Sequence, residues 1–488
     1  MLDYIIIGAY GLTMLMVGWF SRKQTADSYW VAGRRYGTVR ITTSLAATIF
    51  GASSTIGVIG LGYIRGLTGA WWLLAGVAGL VVFGVILAGK VRQLTVYTLP
   101  DILHNAYGTR VSVPAGLMIA VAWAGVIAAQ MLAGARLLSG VIPVSFSTSL
   151  TIIAVVFTLY TFWGGQLSVI RTDFWQLVFF AISIILGVVL LFGYGATDLA
   201  MWSNIPRDHL RFPVSDSFGW YDALIYYPLV VGLPYLVGPD MYSRALCAKS
   251  AEVARRAAVL AAFIIIPPAF LLVLFGILAR GVLPGIPAES ALPEVLRTFA
   301  PSGVRGLITV GFLGAIMSSA DTCLISAATI ITHNVIKPLS GLSDRNLLRS
   351  SKALVLVLGA VGWLIAESQK GIISSLLLGY TIFVGGVVFP TLATFYRDKL
   401  GITSAGAFGA VVVGGGMAII SNVSDGTIAR SLLGQGGMNL IQSLLGPKAL
   451  SILPILLSLF TLLIVSRLTR SSSGCQAQDR KDEKKPAI

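Results

Sequence analysis

The stretch "SLAATIFGASSTIGVIGLGY", Ser44–Tyr63, is apolar enough to cross a bilayer, yet it holds Gly51, Gly57, Gly60, Gly62 and a run of hydroxyls. Glycine weakens a helix. A weakened helix at membrane depth frees backbone carbonyls, which are tolerated only where protein or a water-filled cavity surrounds them. A second stretch, "YYPLVVGLPYLVGPDMY" (Tyr226–Tyr242), carries Gly232, Pro234, Gly238 and Pro239. Proline removes a donor and blocks the turn before it. The two interrupted spans lie five spans apart. Broken helices at corresponding positions of two halves predict a transporter built from inverted repeats, with its site near the bilayer midplane.

The composition sets the same frame. Of 488 residues, 56% are hydrophobic and 11% charged, with a mean hydropathy of +0.85. A soluble domain would carry roughly a quarter charged residues. Apolar runs long enough to cross a core of about 30 Å recur from end to end. They predict an all-α membrane protein with about 13 transmembrane helices, near residues 3–20, 41–63, 70–89, 111–139, 146–163, 173–194, 219–237, 254–279, 305–332, 353–367, 372–395, 404–420 and 449–466. The net charge of +15 would suit a nucleic-acid partner, but its distribution marks it as a topological signal instead. Most of the 35 Lys and Arg fall on one side, which puts the N-terminus outside and the C-terminus in the cytoplasm of a cell (inner) membrane. Asp3 before the first apolar segment and Arg22 and Lys23 after it reverse the charge order of a cleaved signal, so this segment reads as a retained helix. The scattered Cys247, Cys323 and Cys475 and His104, His209 and His333 form no metal or disulfide spacing.

Few polar groups lie inside the spans, and each acid there is a functional candidate because its burial costs at least about 2.5 kcal/mol. In "GFLGAIMSSADTCLIS" (Gly311–Ser326), Ala315, Ser318, Ser319, Thr322 and Ser326 share an arc of about 100°, with Asp321 about 60° beyond Ser318. That face offers small residues, hydroxyl oxygens and a carboxylate, which suit close helix approach and a hard cation. Asp173 reads equally as a ligand or as a first-turn acid, favoured by the helix dipole or paired with Arg171. Asp240 reads as interfacial or ion-paired. Gln130 is the one amide deep in its span, lining a cavity or bridging two helices. Tyr235, within the second break, is a solute-contact candidate, while Trp71, Trp72, Trp202 and Trp220 read as interfacial belt residues.

These residues resemble the sodium/solute symporter family, and its sodium/proline branch in particular. "DSYWVAGRR" (Asp27–Arg35) is similar to the family's first-loop motif. "WGGQLSVIRTDFWQ" (Trp163–Gln176) and "GAIMSSADTCLISAATIITHNVIKP" (Gly314–Pro338) are similar to its two signatures, and "AGARLL" and "GLPYLVGPDMYSR" to proline-branch segments. The resemblance implies a LeuT-type core of two inverted five-helix repeats, here 41–195 and 196–400. Before it come a first transmembrane helix and cytoplasmic loop (1–40). After it come two peripheral helices (401–466) and a disordered cytoplasmic tail (467–488). It also implies a main sodium site at Ala52, Thr55, Ala315, Ser318 and Ser319, with carbonyls from the first three and hydroxyls from the serines. An additional cation site would use Asp173, Ser318, Asp321 and Thr322. The solute would sit near Ser53, Ser54, Gln130 and Tyr235. The branch carries an acid where this chain has Ser54.

The expected function is sodium-coupled symport of a small organic solute, an amino acid such as proline or a carboxylate or vitamin-like compound. Its partners are that solute, Na+ and the lipid bilayer, with the oligomeric state left open. Proton coupling through Asp321 or Asp173 and a transporter-like solute sensor are the alternatives. An intramembrane enzyme would need a Ser/Lys pair, paired aspartates or a His-rich metal site. No span contains a lysine, and His333 lies at a helix exit.

Overall fold

The computed structural model describes all residues except 196–198, 369–370, 423–426 and 483–488. The architecture is helical throughout, and ten helices among the described residues are long and apolar enough to cross a bilayer. Two of these, Ser53–Gln93 and Phe146–Tyr194, each take in two of the predicted spans or most of them. The span expected at 219–237 is a chain of short windings, Asp222–Tyr226, Pro228–Gly232 and Leu233–Val237. The thirteen spans and the ten helices therefore divide much the same apolar segments differently.

The first break follows from local chemistry. The helix Thr38–Ile49 stops where Phe50 turns out of the helical basin (φ −78°, ψ 55°). A wider π-helical turn, Ser53–Gly57, restarts the winding and runs into Val58–Arg65. The second break lies at Gly238, extended at φ −52° and ψ 137°, between Leu233–Val237 and Pro239–Cys247. A residue before proline is pushed out of the helical region. Proline in a first turn sacrifices no needed amide. Gly238-Pro239 thus ends one helix and starts the next. Upstream, Pro228 and Pro234 each lack an amide for the ladder, in keeping with the π windings there.

The helix Val304–Ile330 is the axle of the bundle, buried at every position from Ile308 to Ile330. Its hydroxyls and Asp321 consequently face protein and never lipid. The first helix, Leu2–Phe20, docks onto it through Asp3. That carboxylate accepts the amides of Gly303 and Gly306, each at 2.8 Å, and pairs with Arg305 at 2.7 Å. An acid at a helix start satisfies otherwise orphaned donors. The long helix Phe146–Gly195 bends at Gly165 (φ 53°, ψ −162°), where a Cβ would lie 2.4 Å from the Tyr29 ring.

Two expectations are corrected here. Trp72 is not an interfacial belt residue: it is buried, edge-on to Tyr227 at 5.8 Å, because its position near a span end is also an inter-helix contact. The last helix, Ala449–Asp482, runs past residue 467, where a disordered tail was expected. Extending an existing helix avoids the cost of nucleating a new one. The end of that tail, residues 483–488, lies outside the described residues.

Candidate functional site

The break at Phe50 releases the amide of Ala52, and Gln130 Oε1 accepts it at 2.7 Å. Gln130 sits mid-way along Thr109–Val141, buried among small residues, so its amide reaches the break without a second polar neighbour on its own face. Opposite it, the Ser319 hydroxyl donates to the Thr48 carbonyl at 2.5 Å. Gly51 lies between the two. A Cβ there would fall 2.7 Å from Ser319 Oγ and 2.8 Å from the Gln130 amide, so any side chain would push one of the two aside.

Of the residues assigned to the main sodium site, Ser319 touches the broken helix directly. Thr55 donates its hydroxyl to the Gly51 carbonyl at 2.7 Å and its own carbonyl accepts the Val58 amide, and each of its oxygens keeps a lone pair to offer. The Ala52 carbonyl accepts the Gly57 amide at 3.0 Å and stands 3.4 Å from the Thr55 hydroxyl. Ala315 is buried one turn before Ser319. Ser318 faces another way and donates to Asp173 Oδ1 at 2.7 Å.

Asp173 therefore anchors a separate polar cluster. Ser44 donates to its Oδ2, and the Arg244 guanidinium stands 3.5 Å from that oxygen, with both side chains fully buried. Arg244 also donates to the Thr322 hydroxyl, which in turn donates to the Ser318 carbonyl at 2.7 Å. Three of the four residues of the additional cation site thus meet, around a cation the chain itself supplies. Asp321 stands aside: its Oδ1 accepts from Thr161 at 2.8 Å, and its buried Oδ2 has no hydrogen-bond partner among the described residues. The pairing of Asp173 with Arg171 is corrected, since Arg171 is exposed and the ion pair runs to Arg244.

Ser53, Ser54, Gln130 and Tyr235 all line one central cavity, between the two breaks. Ser54 Oγ and the Tyr235 hydroxyl approach to 3.3 Å and so join the broken helices. Trp123, Tyr380 and Asp240 complete much of the wall. Asp240, read from sequence as interfacial or ion-paired, instead opens the helix after the second break and faces this space. The cavity is small, about 30 Å³, enough for about two waters.

Both ends of the bundle are closed over the cavity. At one end His333 lies edge-on to Trp30 at 4.3 Å and stacks on Tyr97 at 4.9 Å. Beside it, Asn334 donates to Asp101 at 2.6 Å and accepts from Thr98 at 2.7 Å. At the other end Arg136 pairs with Glu289, which also accepts the Ile372 amide at 3.0 Å. The Tyr63 hydroxyl donates to the Leu283 carbonyl at 2.7 Å and accepts the Ile286 amide at 3.1 Å.

Sequence reasoning missed Arg244, Ser44 and Thr161. Arg244 lay in plain view within "GLPYLVGPDMYSR", but its partner sits on a distant helix and no local spacing joins them. Ser44 and Thr161 gave no signal beyond being hydroxyls in apolar spans.

The sodium/pantothenate symporter of Escherichia coli (strain K12) is 26% identical over 439 residues, covering 84% of this chain and 87% of its own length. The high-affinity proline transporter PutP of Bacillus subtilis (strain 168) is 25% identical, covering 83% and 89%. The sodium/myo-inositol cotransporter 2 of Mus musculus is 26% identical, and the match spans only 62% of that longer protein. The fold is that of a Na+-coupled sialic acid symporter solved in a substrate-bound outward-open state, with a TM-score of 0.78 at 16% identity, covering 96% of this chain and 98% of that one. It carries the LeuT-type core expected from the resemblance. A match to the sodium:solute symporter family runs over residues 29–414, taking in both breaks, Gln130, Asp173 and the whole Ser318–Thr322 segment. The chain belongs to that family, whose members are sodium-coupled solute transporters spanning the membrane many times and not enzymes.

Proposed function

We propose that the solute is a small organic molecule held between the two breaks, against Ser53, Ser54, Gln130 and Tyr235. Sodium enters where Ser319 meets the first break, among the oxygens of Ala52, Thr55, Ala315 and Ser319, with Ser318 joining if it leaves Asp173. The observation behind this reading is the Gln130–Gly51–Ser319 contact, which puts a helix break and a hydroxyl-bearing helix side by side at the wall of a closed cavity.

Sodium bound at this junction ties the broken helix to the Val304–Ile330 axle, while solute bound in the cavity ties the two breaks to each other. Each ligand shifts the balance between open forms only in so far as it binds one of them better. An inward membrane potential adds about 2.3 kcal/mol per sodium charge at 100 mV. Alternating access would then consist of releasing the Arg136–Glu289 end or the Trp30–Tyr97–His333 end in turn. The charge distribution favours an outside N-terminus and a cytoplasmic C-terminus, which makes the aromatic end the cytoplasmic one.

Proline, pantothenate and myo-inositol, named for the relatives above, are the first solutes to try. Uptake into proteoliposomes under an imposed sodium gradient, with the proton gradient collapsed, tests the proposal. Uptake that follows only an imposed proton gradient overturns it. A second reading, coupling through a proton at Asp321, has one observation in its favour: Asp321 Oδ2 is buried and free to accept.

A further inference from the structure

The central cavity has an unbalanced charge. Asp240 is the acid among its lining residues, and no Lys, Arg or His is among them. The nearest base along the chain, Arg244, stands one turn further along the same helix and turns one nitrogen, Nη2, to Asp173 and Thr322, while its Nε and Nη1 have no hydrogen-bond partner among the described residues. Asp240 itself forms no ion pair among the described residues. It occupies the first turn of Pro239–Cys247, where the helix dipole favours a negative charge. The rest of the wall includes three aromatic rings, Trp123, Tyr235 and Tyr380, and the hydroxyls of Ser53 and Ser54.

A carboxylate and aromatic faces around one small space attract a cation. Aromatic faces bind ammonium groups through the ring quadrupole, more strongly once water is excluded. Two like charges brought together at low dielectric repel, so a solute whose only charge is negative is disfavoured beside Asp240. Sodium, a hard cation, prefers oxygen ligands, so by itself it leaves the rings without a role.

We infer that the transported solute carries a positively charged nitrogen, as an amine, an amino acid or a quaternary ammonium, and that Asp240 is the residue that pairs with it. This rests on the solute site proposed above and adds the class of solute.

The test uses the purified full chain in sodium buffer, with thermal stabilisation titrated against choline, proline, pantothenate and myo-inositol. Choline or proline is expected to stabilise, and pantothenate and myo-inositol are not. Asp240→Asn is expected to raise the midpoint for the stabilising compound by roughly tenfold or more, while Asp240→Glu stays within a few-fold of the native chain. Stabilisation by pantothenate or myo-inositol in place of the nitrogen cations overturns the inference, and so does an Asp240→Asn midpoint equal to the native one. The ranking of the four probes on the native chain decides the matter even if the Asn variant does not fold. Repeating the titration without sodium separates the two proposals. Loss of sodium dependence counts against sodium coupling and leaves the role of Asp240 standing.

Discussion

Arg244 and Asp173 face each other at 3.5 Å in the bundle interior, neither with any exposed side-chain surface. Their helices are far apart in sequence, so the pair ties the segment after the second break to the Phe146–Gly195 helix. Removing one partner of such a pair strands the other charge, at a cost of about 3–5 kcal/mol. Asp173→Asn and Arg244→Gln are each expected to lower the melting temperature sharply. The double variant, with no buried charge left over, should recover most of the loss, and a thermal denaturation cycle measures this directly.

Gly51→Ala places a methyl group within 2.8 Å of both Ser319 and the Gln130 amide. One of the two must withdraw, and the break loses either its amide acceptor or its hydroxyl neighbour. Sodium-driven uptake should fall at least tenfold while the protein still reaches the membrane, since the change adds one methyl in one place. Uptake kinetics with a surface-expression control read the outcome.

Ser319→Ala removes the hydroxyl that meets the first break, whereas Asp321→Asn keeps an acceptor for Thr161. The serine variant should raise the sodium concentration for half-maximal uptake by roughly tenfold, the effect of about 1.4 kcal/mol. The asparagine variant should leave it unchanged. Sodium titrations of the two variants side by side separate a sodium ligand from a bystander.

Glu289 closes its end of the bundle by holding both Arg136 and the first amide of Ile372–Phe383. Glu289→Ala should speed hydrogen exchange at the start of that helix and leave the aromatic end around His333 as protected as before. Exchange measured by mass spectrometry on the intact protein distinguishes the two ends.

His209 lies outside the membrane spans with Nε2 2.7 Å from the Ile64 carbonyl and Nδ1 buried without a partner among the described residues. Burial holds its pKa below the ordinary value of 6.5, with nearby Arg280 adding to the effect, against the Ile64 contact. A depressed histidine pKa means that the unfolded chain binds the extra proton first. The stability it contributes is present above pH 6.5 and is lost as the pH falls through the lower folded value. Melting temperature recorded from pH 8 downward should decline in that window, and His209→Gln should flatten the decline.

The two breaks were legible because glycine and proline act on the backbone wherever they occur, and Gly51, Gly238 and Pro239 mark the sites where the helices part. Gln130 stood out as a lone amide in an apolar span, whereas Asp321, about 60° from Ser318 on the edge of the serine face, was grouped with that face and turns instead to Thr161. Arg244 was not legible, because an arginine just beyond a span end looks the same whether it faces water or turns inward. The split between Ser318 and Ser319 was also hidden. Neighbouring residues on one arc diverge by a full 100° step, and only the helices on either side decide which partner each one meets.

The amide of Ala52 is held by a side chain from another helix, not by its own. A donor secured in this way is only as fixed as the spacing between those two helices. Were the two helices to slide apart, the N–H would pass to whatever occupies the cavity, and their closing would take it back. The polarity of the binding surface is therefore a function of the shape of the bundle, so that grip and motion are one variable and not two.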